Sequence, residues 1–295
     1  MNWPAAEVDV DEQLVRQLLR EQHADLADLP LRYVDAGFDN ALWRLGDDLL
    51  VRLPRRLIAA TLTENEQRWL PELAPLLPLA VPTPARIGGP SKGYPWPWSV
   101  VPWLHGRPGD GVPVTAPVDA GRRLGRFLLA LHKEAPASAP TNHWRGVPLV
   151  ERAGTFEQRL NDLEAEVDAE RLSQVWEAAL RAEPHGGHRV WIHGDLHPAN
   201  VLISGGTVVA VIDFGDLCGG DPATDIAGAL MILPADGFEV FKAEYPGIDA
   251  DGLRRARGWA ALFCLMLLDL GRSERPSYYQ MARLALERTL AQPAP

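Results

Sequence analysis

The sequence predicts an α+β fold in two unequal lobes, a small β-rich lobe over residues 1–104 and a larger, mostly helical lobe over 105–295. Three observations carry that expectation. Short β-type runs crowd the stretch from Leu31 to Leu53, residues 78–111 are rich in proline and glycine, and beyond them apolar residues recur at helical spacing.

Taken in order, Val10, Leu14, Leu18 and Leu19 mark a first helix between Asp9 and His23, with Asp9 and Glu12 as a capping box. LRYVDAG, NALWRLG and DLLVRLP then alternate in the manner of strands, with Gly46-Asp47-Asp48 as a turn, and predict an antiparallel sheet. Residues Thr61 to Leu77 read as a helix that Pro71 kinks or breaks. WSVVPWL (98–104) is a short apolar run typical of a strand. After it, Leu124, Phe127, Leu128 and Leu131 form one helical stripe, and Trp259, Leu262, Phe263, Met266, Leu267 and Leu270 another.

Composition limits the partners. A formal charge of -10 disfavours a nucleic-acid partner and allows a cationic one. No apolar run is long enough for a bilayer span and the N-terminal residues show no secretory pattern, so a cytoplasmic location without membrane contact is expected. The two cysteines, Cys218 and Cys264, are expected as free thiols. Oligomeric state is not legible.

The helical half is interrupted at WIHGDLHPAN (191–200), followed by VLIS, Gly205-Gly206 and TVVAVIDFGD. Two β-type runs around paired glycines predict a hairpin. If Ser204 pairs with Thr207, Asn200 faces Val211, and Asp213 lies diagonally from Asn200 at ~7 to 8 Å between backbones, close enough for the side chains to share an ion. His193 and His197 could be zinc ligands, but Gly194 and Pro198 argue against the helix that such spacing needs. Histidines bonded inside a loop are the plainer reading. Asp221-Pro222 reads as a helix cap.

Asp195 precedes Asn200 by five positions and Asp213-Phe214-Gly215 follows, the order of the kinase catalytic set. HGDLHPANVLI with VIDFGDLCGGDPATDIA resembles the aminoglycoside phosphotransferase family, the antibiotic-kinase or choline-kinase-like branch of the protein-kinase-like fold. The match is specific from Val190 to Ala229. The resemblance implies transfer of a nucleotide γ-phosphate, from ATP or GTP, to a small-molecule hydroxyl. It makes Asp195 the catalytic base, Asn200 and Asp213 the Mg2+ ligands, His193 and Gly194 shapers of the catalytic loop, and Asp225 the acid that ties that loop's backbone.

In the small lobe the resemblance implies a phosphate-covering loop at DAGFDN (35–40), with Gly37 its one glycine, and backbone around Val101 to Trp103 meeting the purine. It also implies a strand cation with a helix carboxylate. Here the family's lysine position holds Arg52, and its partner is Glu66, with Glu64 as the alternative. Arginine keeps the charge in a bulkier, planar fork, so activity is kept or reduced; the lesser alternative is that Arg52 is only an exposed strand residue. The segment HWRGVPLVERAGTFEQRLNDL (143–163) and the helices after Asp236 would frame the acceptor, with Asp216, Glu239, Glu244 or Asp269 as acids for an amino sugar. An aminoglycoside or other antibiotic acceptor is the first expectation. A metabolic kinase for choline, homoserine or a sugar and a weakly catalytic nucleotide-binding module are the alternatives.

Overall fold

The computed structural model describes residues 5–36, 39–273 and 275–291. The first helix, α1 (Glu12–Gln22), buries Val15, Leu18 and Leu19. Its cap is Asp11 rather than Asp9. The Asp11 carboxylate accepts from the Leu14 amide at 2.8 Å, the short reach that a cap residue needs to satisfy an orphan donor of the first turn.

Strands β1 (Leu31–Ala36), β2 (Asn40–Leu45) and β3 (Leu49–Pro54) form an antiparallel meander. After α2 (Leu57–Leu73), β4 (Arg86–Gly88) and β5 (Trp98–Pro102) complete a sheet of order β1-β2-β3-β5-β4. Along β3, Val51 and Leu53 pack into the small-lobe core with α1 and Trp98, which by the period-two alternation turns Arg52 to the other face.

Helix α2 starts before the expected Thr61 because the Leu57 amide finds a cap far away in sequence, the Glu7 carboxylate at 3.2 Å. Pro71 lies in its last turn, where few ladder bonds remain to be lost, and the helix runs on to Leu73. Trp69, Leu70 and Leu73 from this end join the core of the larger lobe, as do Leu79 and Val81. The Trp69 ring lies 5.0 Å from that of Trp191, so α2 is anchored in both lobes.

The larger lobe runs through β6 (Arg107–Pro108), α3 (Pro117–Leu131), α4 (Ala153–Leu163), α5 (Ala169–Arg181), β7 (Val190–Ile192), β8 (Val201–Ser204), β9 (Thr207–Val211), β10 (Cys218–Gly220), α6 (Ala223–Ile232), α7 (Ala235–Glu244), α8 (Ala250–Ser273) and α9 (Pro276–Ala291). Every residue of α6 is buried. Helix α8 is buried well beyond the expected stripe, because α5, α6 and α9 pack around it.

The hairpin β8–β9 turns at Gly205-Gly206, with φ of 58° and 79°, values at home in the primed turn. Its register departs from the sequence expectation. Ser204 pairs with Thr207 and Ile203 with Val208, but Leu202 then faces Ala210 and Val201 faces Val211. An extra residue at Val209 bulges out, as β-strands do where an edge must bend, and carries Asn200 opposite Ile212, whose amide donates to the Asn200 carbonyl at 2.9 Å. Among the described residues no helix is long and apolar enough to cross a membrane.

Candidate active site

The loop between β7 and β8 is held from beneath by one carboxylate. Asp225, fully buried in the first turn of α6, accepts from the amides of His193 at 2.7 Å and Gly194 at 2.9 Å. His132, at the end of α3, adds its Nε2 at 3.1 Å and is itself bonded through Nδ1 to the Tyr245 hydroxyl. Gly194 has φ of 84°, and a Cβ there would lie 2.6 Å from the Asp216 carbonyl oxygen. Only glycine allows the two segments to touch.

Both histidines of the loop are hydrogen-bonded to backbone. His193 donates from Nε2 to the Ile212 carbonyl at 2.9 Å and accepts from the Asp195 amide through Nδ1. His197 accepts from the Ala199 amide. These bonds explain both imidazoles without zinc.

Asp195 and Asn200 are brought together. The Asn200 amide nitrogen donates to the Asp195 carbonyl at 2.9 Å and to its Oδ2 at 3.2 Å, and no described group donates to the Asn200 amide oxygen. On the other side, Arg145 donates to Asp195 Oδ1 at 2.8 Å. Burial alone would raise the Asp195 pKa, but the Arg145 guanidinium, helped by His197, holds the carboxyl well below the usual carboxylate range. Asp195 is therefore an anion in the resting site.

Arg52, Glu66 and Asp213 form the second cluster. Arg52 Nη1 lies 3.0 Å from Glu66 Oε2 and Arg52 Nη2 lies 3.6 Å from Asp213 Oδ1. Arg52 is buried, not an exposed strand residue. Burial pulls its pKa down, but Glu66 and Asp213 outweigh it and keep the guanidinium charged. Asp213 has φ of 64°, the left-handed conformation in a non-glycine residue, unmatched among the described residues; such strain persists where the surroundings dictate it, as at functional sites. Burial, and behind it repulsion from Asp213, pushes the nearby Asp39 carboxyl up to about 6. Arg56, whose Nη2 lies 2.6 Å from Asp39 Oδ1, works against that rise.

A cleft of about 340 Å³ opens beside this cluster, with Leu42 and Leu50 of the sheet, Leu202 and Ile212 of the hairpin, and Val101 to Leu104 lining it. Two apolar walls facing each other suit a flat ring. The Trp103 amide donates to the Asp48 carbonyl at 2.7 Å, so it is not free for a ligand, and strand parity gives Val101 the same direction, toward β3. By the same parity the Pro102 carbonyl, at the end of β5, turns the other way. Gly37 lies outside the described residues.

Sequence reasoning placed Arg145 in the acceptor-framing segment without singling it out and missed Asn142 and His132; each meets the site from far upstream. Asn142 donates to Asp216 at 2.6 Å, and the Arg145 Nε lies 3.7 Å from Asp216. The acids expected for an amino sugar all have cations of the chain beside them: Asp216 has Arg145, Glu239 has Lys242, Glu244 has Arg126 and Asp269 has Arg159.

Comparison with known proteins gives this geometry its relatives. The structure of aminoglycoside 2'-phosphotransferase-IIIa in its GDP complex superposes with a TM-score of 0.70 at 20% identity, over 96% of this chain and 99% of that one. That of a macrolide 2'-phosphotransferase from Brachybacterium faecium superposes with a TM-score of 0.58 at 27% identity, over 95% and 98%. ADP-bound aminoglycoside phosphotransferase APH(2'')-Ib superposes with a TM-score of 0.60 at 17% identity, over 95% and 98%. No curated protein matches the sequence. The model of the phosphotransferase enzyme family matches residues 30–260, most of the chain, and the protein, with its small antiparallel-sheet lobe over a larger helical one, belongs to that family of small-molecule kinases.

Proposed function

We propose that the protein transfers the γ-phosphate of ATP or GTP, with Mg2+, to a hydroxyl of a small molecule of the antibiotic type, and that Asp195 is its catalytic base. The observation that carries this reading is the bonding of Asp195 to Asn200 across the loop next to the Arg52, Glu66 and Asp213 cluster. Asp195 accepts the proton of the acceptor hydroxyl as its oxygen attacks the γ-phosphorus. The bond from that phosphorus to the β-phosphate oxygen breaks, and the nucleoside diphosphate leaves with the electron pair.

The Asn200 amide oxygen and the Asp213 carboxylate would hold Mg2+. Both are hard oxygen donors, and the Asn200 amide oxygen, to which no described group donates, is left for a cation while its nitrogen bonds Asp195. When bound, the ion neutralises charge on the phosphate oxygens. Arg52 steadies the phosphates from β3, with Glu66 fixing its fork; Asp225 and His193 hold the loop in place. Val101 lines the purine end of the cleft, and the Pro102 carbonyl meets the base edge in preference to the Trp103 amide, which Asp48 occupies.

Solved neighbours bind GDP, ADP, kanamycin and gentamicin, which supports a nucleotide donor and an antibiotic-type acceptor. The pairing of Asp216, Glu239, Glu244 and Asp269 with cations of the chain favours a second reading over a polycationic aminoglycoside: an alcohol or sugar of metabolism. Lobes of 1–104 and 105–295, with the nucleotide between them, fit this division of labour. Calorimetry with ATP and GTP tests it: binding should strengthen on adding magnesium, and Asn200→Ala should remove that gain. Equal binding with and without magnesium would contradict the metal assignment.

A further inference from the structure

Arg145 reaches the site from a loop, residues 141–148, that belongs to neither the hairpin nor the nucleotide lobe. Its Nη2 bonds Asp195 Oδ1 at 2.8 Å and its Nε lies 3.7 Å from Asp216 Oδ2. Phe263 of α8 backs the guanidinium, with 5.1 Å from ring centroid to Cζ. Only 13% of the side chain is exposed.

The loop that aims it is built to stay. The Gly219 amide donates to the Pro140 carbonyl at 3.0 Å and the Asp221 amide to the Gly146 carbonyl at 3.1 Å. Between these ties, Asn142 accepts from the Trp144 amide at 2.8 Å while donating to Asp216. Gly146 is packed so closely that a Cβ would sit 2.6 Å from Ile192 Cδ1. Loop and catalytic segment are thus laced together on both sides of Arg145.

Folding alone does not explain the residue. The Arg145 Nε is buried without a hydrogen-bond partner, an arrangement that costs stability. What it supplies is charge: one guanidinium set against two carboxylates, its planar fork directing separate N–H groups toward each.

We propose that Arg145 is a positioning and specificity-determining residue. It fixes the Asp195 carboxylate through Oδ1, leaving Oδ2 with Asn200. It also fills, with the chain's own cation, the place beside Asp195 and Asp216 where an ammonium group of the acceptor would otherwise sit. The enzyme therefore takes a hydroxyl compound with no positive charge next to the reacting hydroxyl, since a cation there meets Arg145 and must displace it from both acids. This assignment rests on the phosphotransferase reading above.

The test uses the full chain with magnesium and a non-hydrolysable ATP analogue, titrated with 2-deoxystreptamine, a dication, and with the neutral cyclitol myo-inositol. Arg145→Met should bind the dication at least about tenfold tighter than the wild type and leave myo-inositol binding unchanged. Arg145→Lys, which keeps charge but not the fork, should exclude the dication as the wild type does. In nucleotide turnover, both variants should lower kcat while leaving the nucleotide KM in place. Dication binding that does not rise in Arg145→Met, or kcat unchanged in it, overturns the assignment; should that variant fold poorly, Arg145→Gln is read in its place. A wild type that binds no nucleotide strikes the phosphotransferase reading instead, and is recognised by the analogue control.

Discussion

Arg52 on β3 and Glu66 on α2 form a buried ion pair 3.0 Å apart, and the same guanidinium reaches to within 3.6 Å of Asp213. Burial raises the Glu66 pKa, and Arg52 works against it. Each charge of such a pair depends on the other for its solvation. Arg52→Met should therefore destabilise the fold by about 3 to 5 kcal/mol in denaturant unfolding, because it leaves a carboxylate buried without a partner. Arg52→Lys should lose much less and retain nucleotide binding, since the charge survives. A lysine variant as unstable as the methionine one would show that the fork, not the charge, holds this cluster.

Asp225 makes a separate prediction. Removing its carboxylate in Asp225→Ala strands the amides of His193 and Gly194, which it now bonds at 2.7 and 2.9 Å. The expected loss is about 3 kcal/mol of stability. Asp225→Asn keeps the shape and should fold, with kcat reduced more than the nucleotide KM is raised, because the loop carrying Asp195 is displaced while the cleft is not. Steady-state kinetics on Asp225→Asn, with kcat referred to the folded fraction measured by denaturant unfolding, distinguish this from a general loss of folding, which would restore the wild-type kcat once so corrected.

The Asp39 carboxyl, pushed up to about 6 by burial first and by Asp213 second, gives a pH dependence. Its folded-state pKa lies above the unfolded value of about 3.9, so the native state binds more protons in between. Stability from this group is present below about pH 4 and is lost as pH rises to about 6. Asp39→Asn should remove that loss. The stability gap between the variant and the wild type, from denaturant unfolding, should widen across this window by about 2 to 3 kcal/mol in favour of the variant, less what the Arg56 bond at 2.6 Å gives up. A constant gap from pH 4 to 7 would contradict it.

Much of this site was legible because its parts are close in sequence. Asp195, Asn200 and Asp213 sit within one loop and one hairpin, so their spacing carries their arrangement. The small-lobe strands were legible from alternation, and β1 to β3 fall where the runs predict. What failed were features set by distant contacts or by local irregularity. Val209 bulges out of β9 and shifts the register by one, which period-two reasoning cannot foresee. The start of α2 depends on Glu7, and the end of α2 belongs to the other lobe's core. Arg145 meets Asp195 across fifty positions, and nothing in HWRGVP marks that arginine over its neighbours. The Trp103 amide faces Asp48 because of strand parity, which shows only when the pairing partner is known.

The central claim is that Asp195 serves transfer and not folding or nucleotide binding. The most direct measurement is mass-spectrometric detection of a phosphorylated acceptor after incubation with magnesium, ATP or GTP, and a panel spanning aminoglycosides, macrolides and neutral alcohols, run in parallel on the wild type and Asp195→Ala. A product one phosphoryl group heavier is expected in the wild type and none in Asp195→Ala, with nucleotide binding retained by the variant. Product formed at the wild-type rate by Asp195→Ala would contradict it.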